Sequence, residues 1–377
     1  MQNPFVYGEI APRAAFVGRD DELDRLIRDL TARQKVFLIS PRRYGKSSLI
    51  HQALDTLERR RVPTVEVTVS SYSSFVAFLE GYARAIASAE ERAPARSWLH
   101  EMLAALNAEI RKETAGAWTV SFPGVRTPRD ATRLAQEIFA LPARMAARLR
   151  RPLVVALDEF QAIKSFDGGH VEHALRAAVQ QQRDVGYVFA GSAPSLMEAM
   201  IGPNRPFYRA GPVVRLGRID PDTFARFVEQ RFKKSGVTPD VGLGAAIVDL
   251  AGNLPYDVQR LAHETWDDVS AARRRRASVE DLHATLHRLL VEYTTFFEDA
   301  WQKLTLVQRA VLRAVVVERG ENLLSADVRA RHRLGVASTV QVALAALQRL
   351  DLIAREDDGH YTVVDSLMRE WIARETH

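Results

Sequence analysis

Residues 40–48 combine a glycine, a lysine and hydroxyl side chains in an order suited to phosphate binding. The segment reads Ser-Pro-Arg-Arg-Tyr-Gly-Lys-Ser-Ser. A phosphate chain and its Mg²⁺ are held by backbone N–H groups at a helix start, by a lysine and by an adjacent hydroxyl. Gly45, Lys46 and Ser47 have that spacing, so the segment predicts a phosphate-binding loop with Ser47 as a metal ligand.

The segment departs from the G-x-x-x-x-G-K-[ST] pattern at its first position, where Ser40 replaces glycine. If that position requires a positive φ, serine costs about 1–2 kcal/mol. The alternative is a loop that opens with a different backbone conformation. The sequence leaves open whether Ser40 weakens nucleotide binding.

An acidic pair, Asp158 and Glu159, ends the apolar run Leu153–Leu157. A carboxylate at the carboxyl end of a buried parallel strand is costly unless it has a function. Asp158 is placed to bind Mg²⁺, and Glu159 to act as a general base toward water. The competing interpretation is a simple helix cap at the strand end.

These groups need a sheet to bring them together. Short β-branched and apolar runs alternate with helical segments, a pattern typical of a parallel sheet with crossover helices. One interval, about residues 74–149, is long and mainly helical, with a loop expected at residues 118–128. It is either a partner-recognition insert or helical cover for the sheet. The predicted strands are residues 35–39, 62–69, 152–157, 187–190 and 213–216.

The remaining chain changes character. Three helices are predicted at residues 220–235, 242–251 and 256–269, separated by Gly and Pro breaks. Three more helices and a hairpin then follow in the order of a winged helix. These elements are predicted at residues 305–316, 325–333, 337–350, 352–355 and 361–364.

Composition limits the class of protein. The 377 residues include no cysteine, which excludes disulfides and thiolate metal sites. No apolar run approaches the ~18 residues of a membrane span, and residues 1–18 lack a secretory pattern. We therefore expect a cytoplasmic protein without a membrane partner. The net charge of +5 is too small to indicate nucleic acid by itself.

Motifs in a fixed order give the chain a family resemblance. Phe-Val-Gly-Arg-Asp-x-Glu-Leu from Phe16, the phosphate-binding loop, Leu-Asp-Glu-Phe-Gln, Ala-Gly-Ser and Gly-Asn-x-Pro-Tyr follow one another. In this order the chain resembles the archaeal-type ATPase family of P-loop proteins, near the STAND switch ATPases and the origin-recognition branch of AAA+. The resemblance covers residues 16–269.

The resemblance implies an α/β P-loop NTPase fold, with helices on both faces of a parallel sheet, that binds ATP and Mg²⁺. It implies an α/β core followed by a helical lid, and the order of the later elements adds the winged helix. The predicted domains are a core at residues 1–218, a helical lid and linker at 219–299, and a winged-helix domain at 300–377. By the family pattern, Ser192 senses the γ-phosphate, and Lys46 and Glu159 serve hydrolysis. The positions implied to contact nucleotide are Gly18, Arg19, Pro41, Arg42, Arg43, Tyr44, Gly45, Lys46, Ser47, Ser48 and Pro255.

Pro255 favours one branch of these ATPases over the other. AAA+ lids usually place an arginine near this position, whereas Gly252-Asn253-Leu254-Pro255 presents a proline as STAND-type proteins do. A proline ring can pack against a nucleotide but cannot neutralise its γ-phosphate. We therefore expect a slowly hydrolysing switch, although an ordinary helix-start proline would give the same sequence.

The winged helix leaves two functions open. Its predicted recognition helix carries one cation, Arg349, and the following turn at residues 356–358 is Glu-Asp-Asp. Duplex DNA binding normally requires cations at both places. The first hypothesis is thus a nucleotide-dependent switch for a protein partner, with ATP and ADP forms that hold the winged helix differently and can differ in homo-oligomeric state. The alternative is an initiator-like or transposition-helper-like ATPase acting on duplex DNA, with Arg329, Arg331 and Arg333 as the local basic cluster.

Overall fold

The computed structural model describes residues 2–91, 98–112, 118–166, 170–356 and 358–375. The chain divides into two compact units. Arg19–Leu216 form the core unit, and Met1–Gly18 together with Gly217–His377 form the terminal unit.

The core unit alternates helices and strands, as the sequence predicts. Short 3-10 turns occur at Val69–Ser71 and Phe160–Ser165. The longer elements are α1 (Asp20–Thr31), β1 (Lys35–Ile39), α2 (Lys46–Arg59), β2 (Thr64–Thr68), α3 (Phe75–Glu91), α4 (Trp98–Ala105), β3 (Glu109–Lys112), β4 (Trp118–Ser121), α5 (Pro128–Leu149), β5 (Leu153–Asp158), α6 (His170–Gln181), β6 (Val185–Gly191), α7 (Pro194–Ile201) and β7 (Val213–Arg215).

Within the described residues, five parallel strands form the central sheet in the order β2-β5-β6-β1-β7. Every residue of β5 and β6 is buried, which is why neither strand alternates between apolar and polar residues in the sequence. The predicted P-loop fold with a parallel sheet flanked by helices is confirmed.

The sheet order sets the position of the functional groups. Because the strands are parallel, their carboxyl ends share one edge. β6 lies between β1 and β5, so the chain following β6 lies between the loop after β1 and the acids ending β5.

The interval at residues 74–149 contains more than helices. A loop was expected at residues 118–128, but β4 occupies its start and pairs with β3 in an antiparallel hairpin. Thr127 then caps α5 in a reciprocal capping box with Asp130, which explains why the segment after β4 ends at this residue. α3 and α5 contribute Phe78 and Phe139 to the buried core cluster of the sheet, as helical cover would.

The terminal unit is helical with short strands. α8, α9, α10 and α11 make the predicted helical subdomain, and the later elements form the predicted winged helix, which is confirmed. The elements are α8 (Pro221–Lys234), β8 (Thr238–Pro239), α9 (Leu243–Leu250), α10 (Pro255–Ala271), β9 (Arg276–Ala277), α11 (Val279–Gln302), α12 (Leu306–Val317), α13 (Ala326–Arg331), α14 (Ala337–Arg349), β10 (Ile353–Arg355), β11 (Tyr361–Val363) and α15 (Ser366–Glu375).

The core was predicted to comprise residues 1–218. In the structure its first 18 residues group with the terminal unit. Phe5 is 2% exposed and its ring centroid lies 4.9 Å from that of Phe232. The Tyr7 hydroxyl donates a 2.7 Å hydrogen bond to Glu264. The contacts of these two aromatic side chains with the terminal unit explain the grouping, and an extended segment gives no periodicity from which it could be predicted.

No helix among the described residues is long and apolar enough to cross a bilayer.

Candidate active site

The loop after β1 has a left-handed backbone at two positions. Arg43 has φ 70° and Gly45, which precedes α2 as its N-cap, has φ 86°. Ser40 is not among the described residues with positive φ. Its N–H donates to the carbonyl of Gly191 at 3.2 Å, so Ser40 continues the strand pairing. The serine therefore introduces no positive-φ strain into the loop.

The start of α2 presents backbone donors at this loop. Its N-cap, Gly45, has no side chain that could cap the N–H groups of the first turn, which begins at Lys46. The first N–H groups of a helix have no partner within the helix and carry the positive end of its dipole. Lys46, Ser47 and Ser48 thus offer the arrangement of amides that a phosphate chain requires.

Lys46 and Asp158 form a buried ion pair between α2 and the end of β5. The Lys46 ammonium contacts Asp158 directly, and the two side chains are 6% and 8% exposed. The Ser47 hydroxyl donates to the other oxygen of Asp158 at 2.9 Å. One hydroxyl and one carboxylate side by side are hard oxygen ligands of the kind that Mg²⁺ binds together with phosphate oxygens, so the residues fit the predicted metal site.

Glu159 follows in a left-handed conformation, with φ 51°. Its Oε1 lies 3.3 Å from the Lys46 ammonium, and its Oε2 accepts a 2.6 Å hydrogen bond from the Ser192 hydroxyl. Burial alone would raise the pKa of Glu159, but Lys46 and the hydrogen bonds from Ser192 and Gln161 lower it below its ordinary value. The carboxylate is therefore ionised at neutral pH, the form that accepts a proton.

Gln161 belongs to this site although the sequence analysis did not select it. Its amide Nε2 donates to Glu159 Oε2 at 2.5 Å. Gly191 has no side chain where the amide lies: a Cβ there would be 2.5 Å from Gln161 Oε1. The available signal was Gln161 itself, two residues after Glu159 in the Leu-Asp-Glu-Phe-Gln motif.

Arg19 connects the start of α1 to the phosphate-binding loop. Its side chain is 4% exposed and donates to the carbonyl of Tyr44 at 3.3 Å, while its other terminal nitrogen pairs with Glu22 at 2.8 Å. The side chain of Tyr44 is itself buried, so this residue presents its backbone, and not its side chain, to a ligand. The loop's Arg42 is exposed and Pro41 is half-buried.

Gly18 and Pro255 lie in the terminal unit. Gly18 has φ 65°, and a Cβ there would lie 2.5 Å from Ile219 Cγ2, so only glycine fits. Pro255 is the first residue of α10, after two left-handed residues, Gly252 and Asn253. The roles of Gly18 and Pro255 toward nucleotide stay predictions.

The loop at residues 252–255 is bonded to the winged helix through arginines. Arg218 donates both to the carbonyl of Gly252 and, at 2.6 Å, to Glu356 in the turn between β10 and β11. Arg369 of α15 donates to the carbonyl of Leu250 at 2.9 Å. We call this set of contacts, together with the pair described next, the arginine junction.

Arg260 is the most buried arginine of the junction, at 5% side-chain exposure. It donates to Asp257 of its own helix at 2.8 Å and to Asp365, just before α15, at 3.3 Å. Burial alone would lower the pKa of Arg260, but the two carboxylates raise it above its ordinary value. The first turn of α10 is thus tied to the winged helix by a buried charge network.

Comparison with known proteins agrees with this geometry. A family described as an AAA ATPase domain matches residues 15–190, and one described as a probable winged helix domain matches residues 295–374. None of the curated proteins matches the chain.

Solved structures share the fold at low sequence identity. A Walker-type ATPase of Pyrococcus abyssi is 15% identical, with 97% of this chain and 99% of that chain covered and a TM-score of 0.63. The ORC2 protein of Aeropyrum pernix is 14% identical over 100% and 98% of the chains, with a TM-score of 0.57. The ORC1 protein of the same organism, solved in complex with DNA, is 14% identical over 100% and 98%, with a TM-score of 0.54.

Replacement of Gly45 tests the backbone requirement of the loop. A Cβ at this residue meets no atom within 4 Å, so Gly45→Ala should destabilise the core unit by about 1–2 kcal/mol through its φ of 86° alone. The measurement is urea unfolding followed by circular dichroism. Gly124→Ala is the control, because Gly124 also has open space but no positive φ, and it should leave stability unchanged or raise it. Equal effects in the two variants would contradict the assignment.

Proposed function

We propose that this chain, which carries an AAA ATPase domain over residues 15–190 and a winged helix domain over residues 295–374, is an ATP-dependent switch for a protein partner. In this proposal ATP is hydrolysed slowly, and the ATP and ADP forms differ in how the winged helix is held. The observation that carries the proposal is the arginine junction.

The core supplies the groups needed for hydrolysis. The amides at the start of α2 bind the phosphates, and Lys46 contacts the oxygens that bear developing charge. Glu159, held ionised, accepts the proton of the attacking water. Ser47 and Asp158 would hold Mg²⁺, which neutralises phosphate charge when bound. The Ser192 hydroxyl, already bonded to Glu159, lies where it can report the state of that carboxylate.

The junction gives the switch its output. Pro255, proposed to contact the bound nucleotide, begins the helix that carries Asp257 and Arg260. Movement of the start of α10 changes the hydrogen bond from Arg260 to Asp365. Movement of Gly252 changes the hydrogen bond from Arg218 to Glu356. A nucleotide that favours one position of the loop therefore favours one state of the winged helix, by differential contacts.

Slow hydrolysis follows from the same loop. Proline stands where a faster ATPase would place an arginine on the γ-phosphate, and Arg260 is engaged by two carboxylates. A cation committed to a buried pair is costly to withdraw. We propose that the chain spends long periods in each nucleotide state, as a switch requires.

The surface of the winged helix favours a protein partner over DNA. Arg349 is the only cation of α14, all of whose residues are described. The other exposed residues of this helix are neutral: Ser338, Thr339, Gln341, Val342 and Ala345. On α13, Arg331 pairs with Glu318 at 2.7 Å. Arg329 donates to the carbonyls of Leu324 and Gly335.

The turn between the strands of the winged helix adds to this argument. Glu356 is bonded to Arg218, and Asp358 is exposed, while Asp357 lies outside the described residues. Acidic groups oppose phosphate contact. The DNA-binding alternative nevertheless has one observation in its favour, the similarity of fold to the ORC1 protein that was solved with DNA.

Two core variants test the ATPase. Lys46→Ala should abolish measurable ATP binding, because it removes the charge that faces the phosphates. Glu159→Gln should leave ATP affinity unchanged and lower turnover by about 10²- to 10⁴-fold, as expected for loss of a general base. Calorimetric titration and phosphate release measure the two quantities. Tight ATP binding by the Lys46→Ala protein would contradict the assignment.

A variant of the junction tests the switch. Glu356→Ala removes the acceptor of Arg218, so hydrogen exchange in β10 and β11 should accelerate about 5- to 30-fold, equivalent to 1–2 kcal/mol of local stability. In the unaltered protein, replacing ATP with ADP should change exchange in the same strands, and the variant should lose this response. Glu321→Gln, an exposed acid of the same domain, is the control. Identical exchange with ATP and ADP in the unaltered protein would rule out the switch.

Salt dependence separates the two functions. In residues 333–350, the segment that contains α14, the cations are Arg333 and Arg349, and both are exposed. Duplex DNA binding through this helix should therefore be weak, and the slope of log affinity against log salt should be about −2. Joint charge reversal of Arg333 and Arg349 should leave ATP turnover unchanged. A slope steeper than about −4 that this reversal reduces, but that Arg275→Glu in the lid does not, would establish the DNA-binding alternative instead.

A further inference from the structure

Glu159 has more hydrogen-bond partners than its role as a base alone requires. Its Oε2 accepts from both Ser192 at 2.6 Å and Gln161 at 2.5 Å. Its Oε1 faces the Lys46 ammonium at 3.3 Å. The two carboxylate oxygens are therefore not equivalent: one is held by neutral donors, and the other points toward the group that binds phosphate.

The slot that receives the Gln161 amide is formed by Gly191. A Cβ at Gly191 would lie 2.5 Å from Gln161 Oε1 and 2.4 Å from Met197 Cγ. The absence of a side chain at the end of β6 thus allows the amide to reach Glu159. Phe160, fully buried beside Gln161, fixes the 3-10 turn that carries the amide.

We infer that Gln161 is a positioning residue that orients the Glu159 carboxylate for water activation, an inference that rests on the proposed ATPase function. A glutamate side chain has three rotatable bonds, and its ordering costs conformational entropy. Donors from Gln161 and Ser192 to one oxygen fix the carboxylate plane and leave Oε1 as the atom that accepts a proton. Lys46, when drawn to phosphate, uncovers that atom.

The backbone supports the same orientation. Glu159 has φ 51°, a left-handed conformation that is unfavourable for a non-glycine residue. Its N–H donates to Asp158 Oδ1 at 2.8 Å, so both ends of the residue are held. Strain retained at a group bonded from several sides is typical of a preorganised site.

Gln161→Met tests the inference, because methionine keeps the length of the side chain and removes the donor. We expect the rate of ATP turnover at saturation to fall about 10- to 100-fold, the usual loss for a group that orients a reacting ligand. ATP affinity and the melting temperature should stay unchanged, since neither phosphate binding nor the apolar core uses the amide. Gln181→Met, an exposed glutamine of α6, should match the unaltered protein in all measurements.

The double variant Gln161→Met with Ser192→Ala sharpens the test. Because both donors bind one oxygen, the two losses of turnover should be coupled and should not multiply. Unchanged turnover in Gln161→Met, a fall in ATP affinity that parallels the fall in turnover, or losses that multiply in the double variant would each overturn the inference.

The same assays separate this inference from the proposed function. Turnover that Glu159→Gln abolishes but Gln161→Met leaves intact overturns the role of Gln161 alone. An unaltered protein that binds ATP without turning it over overturns both.

Discussion

The contact between Lys46 and Asp158 is the constraint around which the core is arranged. Both side chains are almost completely buried, and either charge without the other would cost several kcal/mol. The pair forms across one intervening strand, β6, at the shared carboxyl edge of β1 and β5, where the start of α2 and the last residue of β5 come within contact distance. Ser47 and Glu159 lie beside the pair because each is its neighbour in the chain, and Ser192 lies at the same edge because it follows the last residue of β6.

Much of this could be predicted from the sequence because it depends on local order. The strand before Gly45, the helix after it and the acid at the end of β5 are adjacent in the chain to the motifs that they position. The parallel sheet follows from the alternation of elements. Ser40 could not be settled in this way, because whether the first loop residue needs a positive φ depends on the backbone, which places the left-handed residues at Arg43 and Gly45.

Contacts between distant parts of the chain were beyond the reach of sequence patterns. In the sequence Glu356 is one of three acids in a turn, whereas the structure pairs it with Arg218, 138 residues away. Gln161 was not selected from the sequence, and its bond to Glu159 depends on space left by Gly191. Arg329, Arg331 and Arg333 form a basic cluster in the sequence. In the structure Arg329 and Arg331 are bonded to groups of their own domain. In each case a side chain's partner, and not its type, determines what it offers to a ligand.

The packing of Phe5 and Tyr7 on α8 and α10 has a consequence for how the protein is made. The terminal unit contains both ends of the chain, so the core is an insertion within it. During synthesis the core can fold as soon as it leaves the ribosome, whereas the terminal unit must wait for residues more than 220 positions later. Until then the aromatic side chains at the start of the chain have no surface to cover. A folded core shortens the effective loop that must close between the two ends, and so lowers the entropy cost of completing the unit that carries the winged helix.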